Sequence, residues 1–207
     1  MCGILLVKSQ SHIPMAIHLS AVQQLKSRGP DFSQYQYVGN IFIAQTVLHI
    51  TGNRKYYDTA HKNFLAYNGE IYNFLELKNE LTRLGNQFIS HSDTEVLLAA
   101  YQTWGISCLD RLNGMFAFAI YDDHKKQLFL ARDRAGEKPL FYRLENNTLQ
   151  FASELKALLQ NPKNPRKIDL AALDSYLAFG YVAGEDCILN GYKKLPPAHA
   201  MQFDLKT

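Results

Sequence analysis

Met115-Phe116-Ala117-Phe118-Ala119-Ile120-Tyr121, Gln127-Leu128-Phe129-Leu130-Ala131, Leu140-Phe141-Tyr142-Arg143 and Leu149-Gln150-Phe151-Ala152 follow one another with short breaks. Apolar and aromatic runs of this length, bounded by turn-forming residues, read as β-strands. The breaks hold Asp122-Asp123, Gly136 and Asn146-Asn147, residues that favour turns or tolerate left-handed backbone. Successive strands this closely spaced predict antiparallel sheet. With helices set between further strands, they predict an α+β fold of stacked sheet layers covered by helices.

Working outward, Met1 to Lys8 is apolar and reads as a buried first strand. Pro14 to Lys26 places Ile17, Ala21, Val22 and Leu25 at helical spacing, with Pro14 in the first turn and Arg28-Gly29-Pro30-Asp31 as the exit turn. Tyr35–Val38 and Ile41–Ala44 flank Gly39-Asn40, a hairpin signal. Asn63 to Tyr67 reads as a strand that meets a turn at Asn68-Gly69-Glu70. Leu75, Leu77, Leu81 and Leu84 then predict an amphipathic helix ending at Gly85. Gln87 to Ser90 reads as a short strand. Ser92 or Asp93 caps a helix from Thr94 to Trp104 carrying Val96, Leu97, Ala100 and Tyr101. Glu154–Leu159 and Asp169–Phe179 read as helices, Asn161–Pro165 as the one linker-like stretch, and Ala198–Leu205 as a closing strand.

The chain has 207 residues, ample for one domain with its own core. A net charge of +3 carries no dense basic stripe, which argues against nucleic acid as the partner. The most basic stretch, Arg132 to Lys138, is broken by Asp133 and Glu137 and reads as a solvated turn. No segment reaches the roughly 20 apolar residues that span a bilayer, so no membrane association is expected. Cys2, Cys108 and Cys187 are odd in number and widely spaced, which favours free thiols in a reducing cytoplasm. The seven histidines show no ligand spacing, and no metal is assigned.

Cys2 is the position richest in chemistry. Removal of Met1 leaves its α-amine free, and an α-amine titrates near 7.7–8.0, about right to serve as general base for the thiol on the same residue. The competing reading is a small buried hydrophobe opening a strand. Asn68 and Gly69 could supply a side-chain amide and a backbone N–H to an oxyanion, or could simply be a turn dipeptide. Asp93 could hold a substrate ammonium or cap its helix.

Met1-Cys2-Gly3-Ile4, Arg28-Gly29-Pro30-Asp31, Asn68-Gly69-Glu70-Ile71-Tyr72-Asn73, Ser92-Asp93-Thr94-Glu95, Leu112-Asn113-Gly114-Met115-Phe116-Ala117-Phe118, Arg132-Asp133-Arg134-Ala135-Gly136-Glu137-Lys138-Pro139-Leu140 and Phe151-Ala152-Ser153-Glu154-Leu155-Lys156 occur in this order across nearly the whole chain. Together they resemble the amidotransferase domain of the glutamine-hydrolysing asparagine synthetases. The resemblance implies a four-layer αββα sandwich of two mainly antiparallel sheets (the N-terminal nucleophile hydrolase fold), forming one domain over residues 2–207. It implies hydrolysis of L-glutamine to glutamate and ammonia through a Cys2 thioester. Asn68 and Gly69 would form the oxyanion hole, and Asp93 and Glu70 would surround the substrate α-amino end. Backbone amides of Ile50 and Thr51 would contact the ligand. Ammonia would pass to an ATP-dependent synthetase domain, where ATP and magnesium are expected; the amidotransferase part itself is expected to need no cofactor. No Ser-Gly-Gly-x-Asp-Ser pattern of that second domain occurs in the sequence. The chain is therefore expected to be a segment of a longer protein or a separate glutaminase subunit, and a homo-oligomer is compatible with either.

The resemblance departs at Gln45-Thr46-Val47-Leu48-His49-Ile50-Thr51, where family members carry Arg-Leu-Ser-Ile. Val47 stands at the position of the arginine that grips the glutamine α-carboxylate. A charge-assisted contact of that kind contributes roughly 1.5–3 kcal/mol. Arg54, Lys55 or His49 could supply a replacement donor. Two alternatives to a glutaminase thus stay open: an amidotransferase-like module that acts structurally, and a hydrolase for an amide lacking the free carboxylate.

Overall fold

In the computed structural model, which describes residues 1–48, 57–58 and 63–206, the strands read from the sequence divide between two sheets. In chain order the elements are β1 (Gly3–Lys8), α1 (Met15–Gln24), β2 (Phe32–Val38), β3 (Ile41–Val47), β4 (Tyr57–Asp58), β5 (Asn63–Ile71), α2 (Phe74–Arg83) and α3 (Asp93–Trp104). After a 3-10 turn at Gly105–Asp110 come β6 (Gly114–Asp122), β7 (Gln127–Arg132), β8 (Phe141–Glu145), β9 (Thr148–Ala152), α4 (Leu155–Leu158), α5 (Leu170–Phe179), β10 (Lys193–Lys194) and β11 (Ala200–Asp204). The first sheet runs β10-β8-β9-β1-β3-β2 and the second β11-β7-β6-β5-β4, with antiparallel pairing between neighbouring strands.

Side-chain alternation explains why two sheets and two helical layers result. In β6, Phe116, Phe118 and Ile120 point one way and pack with Leu77, Leu81, Val96, Leu97 and Tyr101 of α2 and α3. Ala117 and Ala119 point the other way, against Ile4, Leu6, Ile43 and Ala66. Small residues on that face let the second sheet lie against the first. On the far side of the first sheet, Leu5 and Val7 of β1 meet Ala21, Val22 and Leu25 beside α1, and Ala157 and Leu158 of α4. Three apolar seams between helix, sheet, sheet and helix make the αββα sandwich that the resemblance implied. Among the described residues, no helix is long and apolar enough to cross a membrane.

Local signals placed several elements well. Gly39 has φ +56 in the two-residue loop joining β2 to β3. Asn146 and Asn147 both adopt positive φ between β8 and β9, the backbone a tight hairpin of matching twist requires. Asp169 caps α5 by accepting from the N–H groups of Ala171 and Ala172. The α2 helix also forms, but its buried face is Leu77 and Leu81; Leu75 and Leu84 are exposed.

Three expectations are corrected. Gln87–Ser90 is not a strand: the N–H groups of Ile89 and Ser90 donate to the Glu95 carboxylate at 2.9 Å, which diverts them from any ladder. Asn68-Gly69 is not in a turn, because β5 continues to Ile71. A Cβ at Gly69 would overlap the Met115 carbonyl oxygen and sit 2.7 Å from Phe116 Cα, so glycine there serves close packing against β6. Finally, Arg132–Lys138 is not a solvated turn. Asp133 is 1% exposed, and its Oδ1 accepts from the N–H groups of Ala135 and Glu137 while Oδ2 accepts from those of Phe116 and Lys138. The Arg132 guanidinium donates to the carbonyls of Gly136, Lys138 and Leu195.

This knot ties the β7–β8 connection to β6 and to the chain near Leu195. Asp133→Asn leaves one oxygen to serve the amides that two served, and turns an NH2 toward N–H donors. We expect it to destabilise the fold by about 3 kcal/mol, read as a lowered urea midpoint at unchanged slope.

Candidate active site

Cys2 lies immediately before β1 and is 3% exposed. Its carbonyl accepts from Arg28 Nε at 3.0 Å, and Arg28 is steadied by Glu154 Oε1 at 3.2 Å from Nη1. Burial raises the Glu154 pKa, but hydrogen bonds and charge from Lys156 and Arg28 outweigh it and leave the carboxyl below its ordinary value. Two residues on, the Ile4 N–H donates to Ser153 Oγ and the Ile4 carbonyl accepts from the Ser153 N–H, both at 3.0 Å. Gly3 is required by packing, since a Cβ there would lie 2.6 Å from Thr46 Oγ1 and 2.8 Å from Leu25 Cβ. Met1 is half exposed, and Arg28 Nη2 and Lys138 Nζ each lie 3.8 Å from its sulfur.

The strand period puts Cys2 on the face of Ile4 and Leu6, toward the second sheet. In β5, Phe64 and Ala66 face the first sheet while Leu65, Tyr67 and Ile71 face the helices. Asn68 and Glu70 therefore share the face that looks back toward Cys2. The two strands are keyed together by Gln45 of β3, which pairs in register with Ile4. Its Nε2 donates to the Tyr67 carbonyl at 2.8 Å, and its Oε1 accepts from the Tyr67 N–H at 3.1 Å. The start of β1 thus lies across from Tyr67-Asn68.

Asn68 is 1% exposed, and among the described residues its Nδ2 has no hydrogen-bond partner. A buried amide donor left unmade costs about 1–3 kcal/mol, so its presence asks for a reason. Gly69 follows on the β5 edge away from β6. Tyr67 and Ile71 send their N–H groups from that edge to Gln45 Oε1 and Asp93 Oδ2, and the two-residue alternation aims the Gly69 N–H along it as well.

Asp93 does not cap its helix; Ser92 does, accepting from the Thr94 N–H. The Asp93 carboxylate, 7% exposed, instead accepts at Oδ2 from the Tyr67 hydroxyl at 2.6 Å and from the Ile71 N–H at 3.1 Å. Among the described residues Oδ1 takes no hydrogen bond. Glu70, half buried, is the second carboxylate of this stretch. Val47 ends β3 on the Gln45 face at 1% exposure, with its carbonyl accepting from the Asp31 N–H. Ile50, Thr51, His49, Arg54 and Lys55 lie outside the described residues. No group of three or more His, Cys, Asp or Glu side chains is placed for a metal ion among the described residues.

Sequence reading assigned no role to Gln45, Tyr67 or Arg28. The available signal was Gln45 itself, a polar residue in a strand whose every other position is compatible with burial, since a buried amide demands partners. The site thus brings a thiol, an unengaged amide donor and a half-engaged carboxylate to one end of the sandwich. That set suits attack on a carbonyl carried by an amine-bearing substrate.

Known proteins share the fold and sequence pattern of this chain. A Bacillus subtilis glutamine phosphoribosylpyrophosphate amidotransferase shares the fold, with a TM-score of 0.63 at 18% identity over 99% of this chain and 49% of its own. Asparagine synthetase [glutamine-hydrolyzing] 3 of Bacillus subtilis is 39% identical over 186 residues, 86% of this chain and 30% of the relative. Asparagine synthetase [glutamine-hydrolyzing] 1 of the same organism is 36% identical over 190 residues, 89% of this chain and 29% of the relative. The chain thus spans under a third of the length of these relatives. The family model described as the glutamine amidotransferase domain matches residues 1–207. By that match and these relatives, the chain belongs to the glutamine amidotransferase domain family, alongside the glutamine-hydrolysing asparagine synthetases.

Proposed function

We propose that this domain hydrolyses glutamine to glutamate and ammonia through a thioester at Cys2, and that the ammonia feeds an ATP-dependent, amide-forming synthetase domain. The observation that carries the reading is the buried Nδ2 of Asn68, without a partner among the described residues, on the face opposite Cys2. A donor held without a partner in the resting protein is preorganised for charge that develops only during reaction.

The chemistry follows from the residues. Once Met1 is removed, the α-amine of Cys2 takes the thiol proton and sulfur attacks the side-chain amide carbon. The oxygen gains negative charge, which Asn68 Nδ2 and the Gly69 N–H stabilise. The α-ammonium returns the proton to the leaving nitrogen, ammonia departs, and a thioester remains. Water, deprotonated by the same amine, then attacks the thioester; glutamate leaves and the thiol is restored. Asp93 Oδ1 holds the substrate α-ammonium, with Glu70 as its second carboxylate. In this reading ATP and magnesium act in the synthetase domain, and hydrolysis needs neither.

Release of glutamate and ammonia in equal amounts, by chain shown by mass to lack Met1, tests the proposal. No release from such protein at tens of millimolar glutamine sinks it. Val47 favours a second reading, an amide substrate without a free α-carboxylate. Faster hydrolysis of such an amide than of glutamine decides for that reading. Asp93→Asn separates the roles further. We expect the glutamine KM to rise about 10- to 100-fold with kcat changed less than about threefold, because the carboxylate binds ground and transition states alike. An unchanged KM assigns Asp93 to architecture alone.

A further inference from the structure

We infer that Gln45 is a positioning residue for the reaction, setting where the oxyanion donors of β5 stand relative to Cys2; this rests on the glutaminase reading above. Stacked sheets lie roughly 10 Å apart and share no backbone ladder, so apolar packing alone leaves their relative slide loosely specified. Gln45 supplies the missing register. It pairs with Ile4, two residues after the nucleophile, and its amide grips both backbone groups of Tyr67, the residue before Asn68.

Its grip falls at Tyr67, on the edge of β5 away from β6. Two residues past Tyr67 along the same edge is Gly69, and two further is Ile71, whose N–H goes to Asp93 Oδ2. The Tyr67 hydroxyl goes to that same oxygen. The Asn68-Gly69 pair is therefore clamped on one flank by the first sheet and on the other by α3. Removing the Gln45 clamp lets the donors shift against the sulfur, and a misplacement near 1 Å costs about a hundredfold in rate.

Gln45 is 2% exposed, so alanine there risks the fold. The test uses Gln45→Met, which keeps the volume and loses both hydrogen bonds, and Gln45→Glu, which keeps only the acceptor for the Tyr67 N–H. Steady-state glutamine hydrolysis is measured for each in two backgrounds, wild type and Asn68→Ala. In the wild-type background kcat is expected to fall about 10- to 100-fold for Met and less for Glu, with KM moving less than about threefold. In the Asn68→Ala background the same substitutions are expected to lower kcat by a distinctly smaller factor, because one of the two donors they displace is gone. Equal fold losses in both backgrounds overturn the inference, as they mark a general structural defect. An unchanged kcat in a folded variant overturns it too, as does a change confined to KM. Absence of glutamine hydrolysis in the unsubstituted, processed chain removes the proposed function itself, and this inference with it.

Discussion

Glutamine hydrolysis by Cys2→Ser is expected to fall by roughly 10⁴-fold or more, the scale seen when a covalent nucleophile is removed. Serine keeps the α-amine after Met1 removal, so the substitution changes only the attacking atom. The hydrogen bond from Arg28 Nε ends on the Cys2 carbonyl and the Ser153 bonds end on the Ile4 backbone, so these anchors of the strand start survive the substitution. Stability is therefore expected to stay within about 1 kcal/mol of the wild type. Glutamate release decides the matter, with trapping of the acyl-enzyme by acid quench and mass measurement as a second readout. A serine variant within tenfold of wild type sinks the thioester. Thiol modification gives a supporting measurement, because Cys108 does not confound it: burial in the α3 layer pushes that thiol up to about 12, far from the thiolate that alkylating agents need. If the α-amine is the base, kcat/KM rises with pH through an apparent pKa of about 7.7–8.0.

Asn68→Ala is expected to lower kcat by about 10²–10³-fold, the usual loss of one oxyanion donor. Its effect on stability is the more telling half. Most buried polar side chains destabilise when truncated because they leave partners unmade. Asn68 Nδ2 has no partner among the described residues, so truncation relieves an unmade donor worth about 1–3 kcal/mol while losing packing of similar size. The thermal midpoint should stay near that of wild type or rise slightly. A residue kept for structure predicts the reverse, a large drop in midpoint with little loss of kcat per folded molecule. Denaturation beside steady-state kinetics on the same preparation separates these outcomes.

Particular residues show why some of the site was legible in the sequence and some was not. Cys2 and Asp93 could be singled out because their chemistry is intrinsic and their neighbours in the chain form recognisable motifs. Asn68-Gly69 was legible as a motif but misplaced as a turn. The dipeptide favours turns locally, and what overrides that preference is the ladder to β6, nearly fifty positions along the chain. Asp133 was misread for a related reason. Four backbone amides converge on its carboxylate only once the β7–β8 connection has folded over β6, and charge composition carries no trace of that. Val47 was identified as a departure, and the replacement donors considered, His49, Arg54 and Lys55, lie outside the described residues.

The sequence by itself determined stacked antiparallel sheet covered by helices and most of the elements, because these depend on short-range physics; the four-layer αββα order came from the family resemblance. The Phe-Ala-Phe-Ala alternation of Phe116 to Ala119 sorts large residues to helices and small ones to the sheet interface. Asn146-Asn147, Ser92 and Asp169 set a hairpin and two helix starts through backbone preferences confined to a few residues. Only the tertiary structure decided which groups meet. It set Asp93 on Tyr67 rather than on its own helix, gave Gln45 both backbone groups of Tyr67, and left Asn68 Nδ2 across from Cys2 without a partner among the described residues. Such pairings join residues twenty or more positions apart. They are selected by the register of strands and the stacking of sheets, and no local preference encodes the position of a distant donor.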